Sequence, residues 1–208
     1  MDIGTWLAFV AASTALLLIP GPTVLLVLAY ALSRGRKVAL ATASGVALGD
    51  LVAMSASLAG LGALVMASAT AFTVLKWVGA VYLIYLGIAL IRNAPKASLG
   101  LGDATDDKDA TGIFWHSALV TALNPKSIAF FIAFVPQFMS PGAPLLWQSV
   151  ILVATFVGLA AINAFAYALL ADRMRQGIHR PGVLRWINRC GGGALVGMGV
   201  LSTTVARA

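Results

Sequence analysis

Cysteine, glutamate and histidine are nearly missing from this sequence. Its 208 residues include one cysteine, Cys190, two histidines and no glutamate. A single cysteine excludes an internal disulfide, a CxxC redox pair and a cysteine-rich metal site. Without glutamate there is no HExxH zinc motif, and no nucleophile stands beside a base within the apolar segments. The sequence therefore argues against an enzyme and predicts no metal and no other cofactor.

Charge is also scarce, and apolar residues take its place. Only 10% of the residues are charged and 60% are hydrophobic. In soluble domains about 25% of the residues are charged and about 45–50% are apolar. A soluble domain of this length has too little interior to bury so much apolar surface. The excess must face lipid, which predicts an all-α membrane protein that crosses the bilayer several times.

The charge that remains is mostly positive, with a formal net charge of +7. Such a balance can indicate nucleic-acid binding. Here, however, Lys and Arg lie in short stretches between apolar runs and not beside aromatic stacking positions. The sequence predicts contact with membrane lipids and no nucleic-acid partner.

Six apolar runs are long enough to cross a hydrocarbon core of about 30 Å, which takes about 20 helical residues. These runs extend over 5–32, 38–66, 70–92, 113–139, 146–171 and 188–206. The last is the weakest because several glycines lower its helix propensity. A re-entrant pair is an alternative for the second and third, whose junction is short. We predict six transmembrane helices.

The basic residues orient these helices. Most of the 14 Lys and Arg fall in the first, third and fifth connections: Arg34, Arg36, Lys37, Arg92, Lys96, Lys108, Arg173, Arg175, Arg180, Arg185 and Arg189. By the positive-inside rule these connections are cytoplasmic. Both termini are then outside the cytoplasm, on the periplasmic side if the membrane is a bacterial inner membrane.

A polar stretch divides the chain into two halves. Residues 93–112 are predicted to form a cytoplasmic linker between a first half, 1–92, and a second half, 113–208. Each half contains three predicted spans. Because three is odd, related halves must be inverted relative to each other, so we predict two inverted three-helix repeats.

Two spans are interrupted by proline near the middle. The first contains Pro20, Gly21, Pro22 and Thr23, and the fourth contains Asn124, Pro125 and Lys126. Proline removes a helix hydrogen bond, and backbone groups freed within a bilayer must face protein or a water-filled cavity. One such proline is most simply a kink. Broken helices at matching places in two halves indicate the substrate site of a transporter, and we predict substrate binding by these residues.

Two ionisable side chains lie within the spans near these breaks. Placing Asp50 or Lys126 at the bilayer centre costs at least ~2.5–3.5 kcal/mol, so each is expected to face a cavity or the other. They could form an ion pair that only locks the bundle. Alternatively, they could bind the ammonium and carboxylate of an amino acid, with Asp50 also carrying a proton. Asn163 lies where inversion places the counterpart of Asp50, and it is either a site residue or an interhelical hydrogen-bond donor.

Two GxxxG spacings occur in the second and sixth spans, at Gly45–Gly49 and Gly193–Gly197. Small residues at this spacing let two membrane helices approach closely. Packing within the chain is the first interpretation of both, and a homodimer contact is the second.

Several motifs follow one another in the order of a known family. They are Pro20-Gly21-Pro22, Gly45-x-x-x-Gly49-Asp50, Lys76-x-x-Gly79-Ala80-x-Tyr82-Leu83-x-Tyr85-Leu86-Gly87, Asn124-Pro125-Lys126, Phe130-Phe131 and Pro136-Gln137-Phe138. In these residues the sequence resembles the LysE/RhtB family of bacterial amino-acid exporters. The resemblance covers nearly the whole chain and implies export of amino acids or close derivatives, driven by the proton gradient. Thr23 departs from it, because many relatives have Asp or Asn there.

Other interpretations remain open for the same pattern. Uptake and metal-ion export are rivals among transporters, although the spans lack the His, Cys and Glu clusters that a metal ion needs. A non-transporting structural subunit is a third alternative. It predicts that neutralising Asp50 changes folding or abundance and leaves no intact but inactive protein.

Overall fold

The computed structural model describes residues 1–19, 21–92, 109–140, 143–178 and 181–204. Eight α-helices occupy most of these ranges: α1 (Ile3–Leu18), α2 (Pro22–Arg34), α3 (Ala39–Ala67), α4 (Ala69–Arg92), α5 (Ala110–Ala122), α6 (Pro125–Ala133), α7 (Leu145–Ile178) and α8 (Pro181–Thr204). Short 3-10 turns at Gly35–Val38 and Val135–Phe138 follow α2 and α6. The described residues contain no strand, which confirms the all-α prediction. Most of the predicted linker, residues 93–108, lies outside the described residues.

The structure interrupts the first and fourth predicted spans. α1 and α2 meet at 55° and α5 and α6 at 46°. Pro22 and Pro125 are the first residues of α2 and α6. The missing N–H of proline costs nothing at that position, because the first helical amides have no partner within the helix. Each proline therefore begins a new helix.

Three helices are long and apolar enough to cross a membrane by themselves: Ala39–Ala63, Thr73–Arg92 and Leu145–Ala171. Counting each bent pair as one span raises the number to five within the described residues. α8 does not meet the same criterion, and glycine, which adds little hydropathy, occupies several of its positions. A multi-pass membrane protein is confirmed, whereas six spans remain a prediction.

Close helix contacts depend on glycine in both halves. A Cβ on Gly45 would lie 2.3 Å from the Phe114 carbonyl oxygen, and one on Gly49 would lie 2.5 Å from that of Ala118. Real Cβ atoms do not approach so closely, so these glycines allow α3 to pack directly on the α5 backbone. In the same way α4 packs on α8, where a Cβ on Gly87 would lie 2.5 Å from the Gly192 carbonyl oxygen.

The packing interpretation of the second GxxxG spacing was wrong for the described chain. No atom lies within 4 Å of a Cβ placed on Gly193 or Gly197, and both residues are exposed. The α8 face against α4 instead contains Gly192 and Gly199. The spacing alone did not indicate which of several glycines faces the neighbouring helix.

An aromatic cluster fixes α6 against α7. Phe131 and Phe156 are fully buried, with ring centroids 4.9 Å apart in an edge-to-face arrangement. Phe130 also contacts Phe156, at 5.9 Å. Because Lys126 lies one turn before Phe130 on the same helix, this cluster sets the position of its side chain relative to α7.

Candidate functional site

A cavity lies where the two broken helices meet α3 and α7. Its polar lining comes from all four regions: Thr23, Asp50, Asn124, Lys126, Ser127, Asn163 and Tyr167. Its apolar lining includes Leu16, Val24 and Ala160. The empty space among these side chains, including the part open to the surroundings, is about 400 Å³. The cavity thus combines a mostly apolar wall with a few polar groups, as small-molecule sites do.

The C-terminal end of α1 is held by side chains from the second half of the chain. Lys126 Nζ donates to the carbonyl oxygens of Leu16 at 3.1 Å and Ile19 at 2.9 Å. The last carbonyls of a helix have no partner within the helix, and they carry its negative partial charge. An ammonium is therefore well suited to this place.

Two α7 side chains complete this set of contacts. Asn163 Nδ2 donates to the Leu17 carbonyl oxygen at 3.2 Å, and the Tyr167 hydroxyl donates to that of Leu18 at 3.3 Å. The four consecutive carbonyls that the break exposes therefore all accept a hydrogen bond from Lys126, Asn163 or Tyr167. Asn163 was predicted either as a site residue or as an interhelical donor, and it both donates between helices and lines the cavity.

The second break is linked to the first through polar side chains. Asn124 begins α6 as its N-cap, and its Oδ1 accepts from the Lys126 amide at 3.1 Å. Its Nδ2 donates to Thr23 Oγ1 at 3.0 Å, and Thr23 Oγ1 lies 3.4 Å from Thr121 Oγ1. The α2 and α6 starts are thus joined directly, with Asn124 at the centre.

Asp50 is the unusual member of the lining. It is 2% exposed, and its Oδ1 has no hydrogen-bond partner among the described residues. A buried carboxylate oxygen without a partner is expensive, because its hydration is lost and not replaced. Lys126 lines the same cavity, but its ammonium is engaged with the α1 carbonyls. Within the described chain the two side chains share a cavity and form no direct salt bridge, and the choice between a locking pair and a substrate site stays a prediction.

The predicted site residues divide into three groups. Thr23, Asp50, Asn124, Lys126 and Asn163 line the cavity. Pro22 and Pro125 are exposed and outside the lining. Gly21 is half-buried beside the lining, and Pro20 lies outside the described residues.

Sequence reasoning did not assign Thr121, Ser127 or Tyr167 to the site, although Ser127 directly follows Lys126 at the second break. Tyr167 follows Asn163 by four residues, so helical spacing alone places both on one face of α7. Thr121 and Ser127 flank the second break within three residues of Asn124. A search one turn to either side of each predicted residue would have found all three.

Comparison with known proteins identifies the family of the chain. The LysE type translocator family model matches residues 14–204. An uncharacterized membrane protein of Vibrio cholerae is 33% identical over 204 residues, with 98% of each chain covered. Homoserine/homoserine lactone efflux proteins of Salmonella typhimurium and Salmonella typhi are each 32% identical over 208 residues, with 100% of each chain covered. No solved structure matches the chain. The chain belongs to the LysE type translocator family, whose members are transporters and not enzymes.

Proposed function

We propose that this protein exports amino acids or close derivatives from the bacterial cytoplasm across the inner membrane, in exchange for protons. The observation that carries the proposal is Asp50, a buried carboxylate with an unpartnered oxygen, in a cavity that also contains the Lys126 ammonium. The Salmonella relatives named for homoserine and homoserine lactone efflux support the same substrate class.

The cavity has the two charges that a zwitterion requires. A free amino acid carries an ammonium, which Asp50 can receive, and a carboxylate, which Lys126 can receive. Both ends of the substrate would be paired within one cavity, which lowers the cost of removing its charges from water. Because each break frees helix termini beside these side chains, the arrangement has the features of a midplane transporter site.

Proton exchange follows from the environment of Asp50. Burying a carboxylate with an unpartnered oxygen is costly, so the folded protein favours any cation that neutralises Asp50. A proton and a substrate ammonium both do so, and they exclude each other at one oxygen. If Asp50 binds the substrate ammonium and a proton in turn, export of the substrate is coupled to entry of the proton. The membrane potential adds ~2.3 kcal/mol per elementary charge per 100 mV to a step that moves charge.

The proposed architecture is six spans in two inverted repeats, 1–92 and 113–208, with both termini periplasmic. Its support is that α3 packs on α7 and α4 packs on α8. In each pair, one helix contacts the helix at the corresponding position of the other half. A homodimer belongs to the same proposal. Gly45 and Gly49 are used within the chain, so of the two GxxxG spacings only Gly193–Gly197 is available to a second copy.

The topology has a direct test. Alkaline phosphatase fused after Ala208 should be active in cells, because this enzyme folds only outside the cytoplasm. A fusion placed within residues 93–108 should be inactive. Activity of the second fusion and not of the first would overturn the orientation, although not the transport proposal.

Export itself is tested by measuring efflux from cells loaded with dipeptides. We expect the wild type to speed the appearance of particular amino acids outside, and Asp50→Asn to reduce this to the rate of empty-vector cells. The amide keeps the shape of Asp50 but can neither release a proton nor pair with an ammonium. Because Asn buries no charge, the variant should remain folded and as abundant as the wild type.

Asp109→Asn is the matched control. Asp109 is an exposed N-cap whose Oδ1 accepts from the Gly112 amide at 2.8 Å, and asparagine caps helices as well as aspartate does. Efflux by this variant should equal that of the wild type. Wild-type efflux no faster than that of empty-vector cells for every amino acid would refute the proposal. Loss of the Asp50→Asn protein from the membrane would favour a structural role for Asp50.

A further inference from the structure

The start of α2 is a second polar feature of the cavity. Its N-cap, Gly21, has no side chain, and no side-chain hydrogen bond caps the helix. The next residue is proline, so Thr23 and Val24 carry the first helical amides, and both residues line the cavity. An N-terminus of this kind has a positive partial charge of about half an elementary charge and favours anions.

The starts of α5 and α6, the two helices of the other broken span, each have a side-chain acceptor. Asn124 Oδ1 caps α6, and Asp109 Oδ1 caps α5. α2 thus differs in having no side-chain cap at a start whose residues line a cavity, and this difference alone would not identify a ligand.

Two further observations point to an anion with an attached cation. A Cβ on Gly21 would lie 3.2 Å from Lys126 Nζ, so the ammonium lies directly beside the α2 start. On the same cavity Asp50 is an acceptor with an unpartnered Oδ1 and 2% exposure. One side of the cavity therefore has two positive groups in contact, and another has an unsatisfied negative one.

We infer that the Gly21 start of α2 and Lys126 together form a carboxylate subsite, so that the protein selects amino acids with a free carboxylate over their lactones, esters and amides. This inference rests on the proposed function and narrows its substrate class. A carboxylate at this place accepts from the Thr23 and Val24 amides and from Lys126, while the substrate ammonium faces Asp50. A lactone retains the ammonium but offers the subsite only a neutral ring oxygen and carbonyl.

The subsite also gives the Lys126 ammonium a second partner when substrate is bound. Without substrate its ammonium is bound by the Leu16 and Ile19 carbonyls. A carboxylate beside Gly21 can receive one of the three donors of the ammonium while the others stay on the end of α1. Substrate binding would thus join the two halves of the broken first span through one side chain.

The test is competition in proteoliposomes that contain the purified full chain. Labelled L-homoserine is exchanged against unlabelled L-homoserine, L-homoserine lactone or L-homoserine amide, at a mildly acidic pH where the lactone persists. If homoserine is not exchanged, the amino acid identified by the efflux assay and its amide replace these probes. Charge-assisted hydrogen bonds are about twice as strong as neutral ones, so the lactone and amide should need at least ~10-fold higher concentrations for half inhibition.

Two substitutions of Gly21 locate the subsite. Its φ of −134° is extended backbone that any residue adopts. Gly21→Asp supplies a carboxylate that caps α2 and pairs with Lys126, so it should remove the preference for the free acid. Gly21→Ala adds a Cβ beside Lys126 but no acceptor for the α2 amides, so it should keep most of the preference.

Each result bears on the inference separately from the proposed function. Equal inhibition by homoserine and its lactone in the wild type would overturn the carboxylate subsite while transport itself stands. An unchanged preference in Gly21→Asp would also overturn it, since the built-in carboxylate must compete at that place. If Gly21→Asp does not fold, the wild-type competition series alone decides.

Discussion

Lys126→Met is expected to abolish export and to weaken the folded protein. The substitution keeps a long apolar side chain but removes the donor for the Leu16 and Ile19 carbonyls. Ile19 then loses its described donor, and an unsatisfied buried acceptor costs ~1–3 kcal/mol. Part of this cost is offset, because an ammonium no longer has to be desolvated. Transport suffers more than stability, because the cavity keeps the negative Asp50 and loses the Lys126 ammonium.

Tryptophan fluorescence during heating in detergent and efflux at matched abundance measure the two effects. We expect a melting temperature several degrees below that of the wild type and efflux at the empty-vector level. Lys37→Met removes an exposed lysine within the first connection and should change neither quantity. Efflux by Lys126→Met above half that of the wild type would show that its charge is not needed.

Asn163→Ala also removes a hydrogen-bond donor to the end of α1, and we expect a smaller effect than that of Lys126→Met. It removes one neutral donor, to the Leu17 carbonyl oxygen at 3.2 Å. Interhelical hydrogen bonds in membrane proteins contribute only ~0.6 kcal/mol on average. The three carbonyls that Lys126 and Tyr167 bind keep their donors, so this variant should melt close to the wild type and retain most efflux.

The helices and their breaks could be predicted from sequence because each depends on local chemistry. Apolar runs define α3, α4 and α7, and the prolines at 22 and 125 define where the broken spans resume. The cavity lining was predicted where a residue is costly in lipid, as Asp50 and Lys126 are. Such residues are recognisable without knowing their neighbours.

The contacts of these residues could not be predicted, because they depend on how helices distant in sequence approach each other. Two opposite charges in the spans suggested an ion pair, yet the Lys126 ammonium binds carbonyl oxygens at the end of α1. These backbone groups are not considered when only side chains are compared. The helix that each glycine faces could not be predicted for the same reason. Only the packed structure distinguishes Gly49, pressed against α5, from Gly193, which faces open space.

Gly49→Leu is expected to prevent assembly of the site and to remove most of the folded protein. Even the Cβ of the new side chain would lie 2.5 Å from the Ala118 carbonyl oxygen and 2.7 Å from Thr121 Cβ. The α5 backbone cannot rotate away, so α3 and α5 must separate. Overpacking of a well-packed interior costs ~1–3 kcal/mol or more. Separation would also shift Asp50, the next residue, and Thr121, which lies 3.4 Å from Thr23 across the breaks.

Gly193→Leu is the matched control, because no atom lies within 4 Å of its Cβ position. The yield of monodisperse protein extracted in mild detergent should fall severely for Gly49→Leu and stay at the wild-type level for Gly193→Leu. Equal yields of the two variants would contradict the close α3–α5 contact. A shift of Gly193→Leu to a smaller particle, with yield unchanged, would show that a second copy packs on this face of α8. Any loss of efflux in that variant would then come from the dimer, because the cavity and its charges lie on other helices.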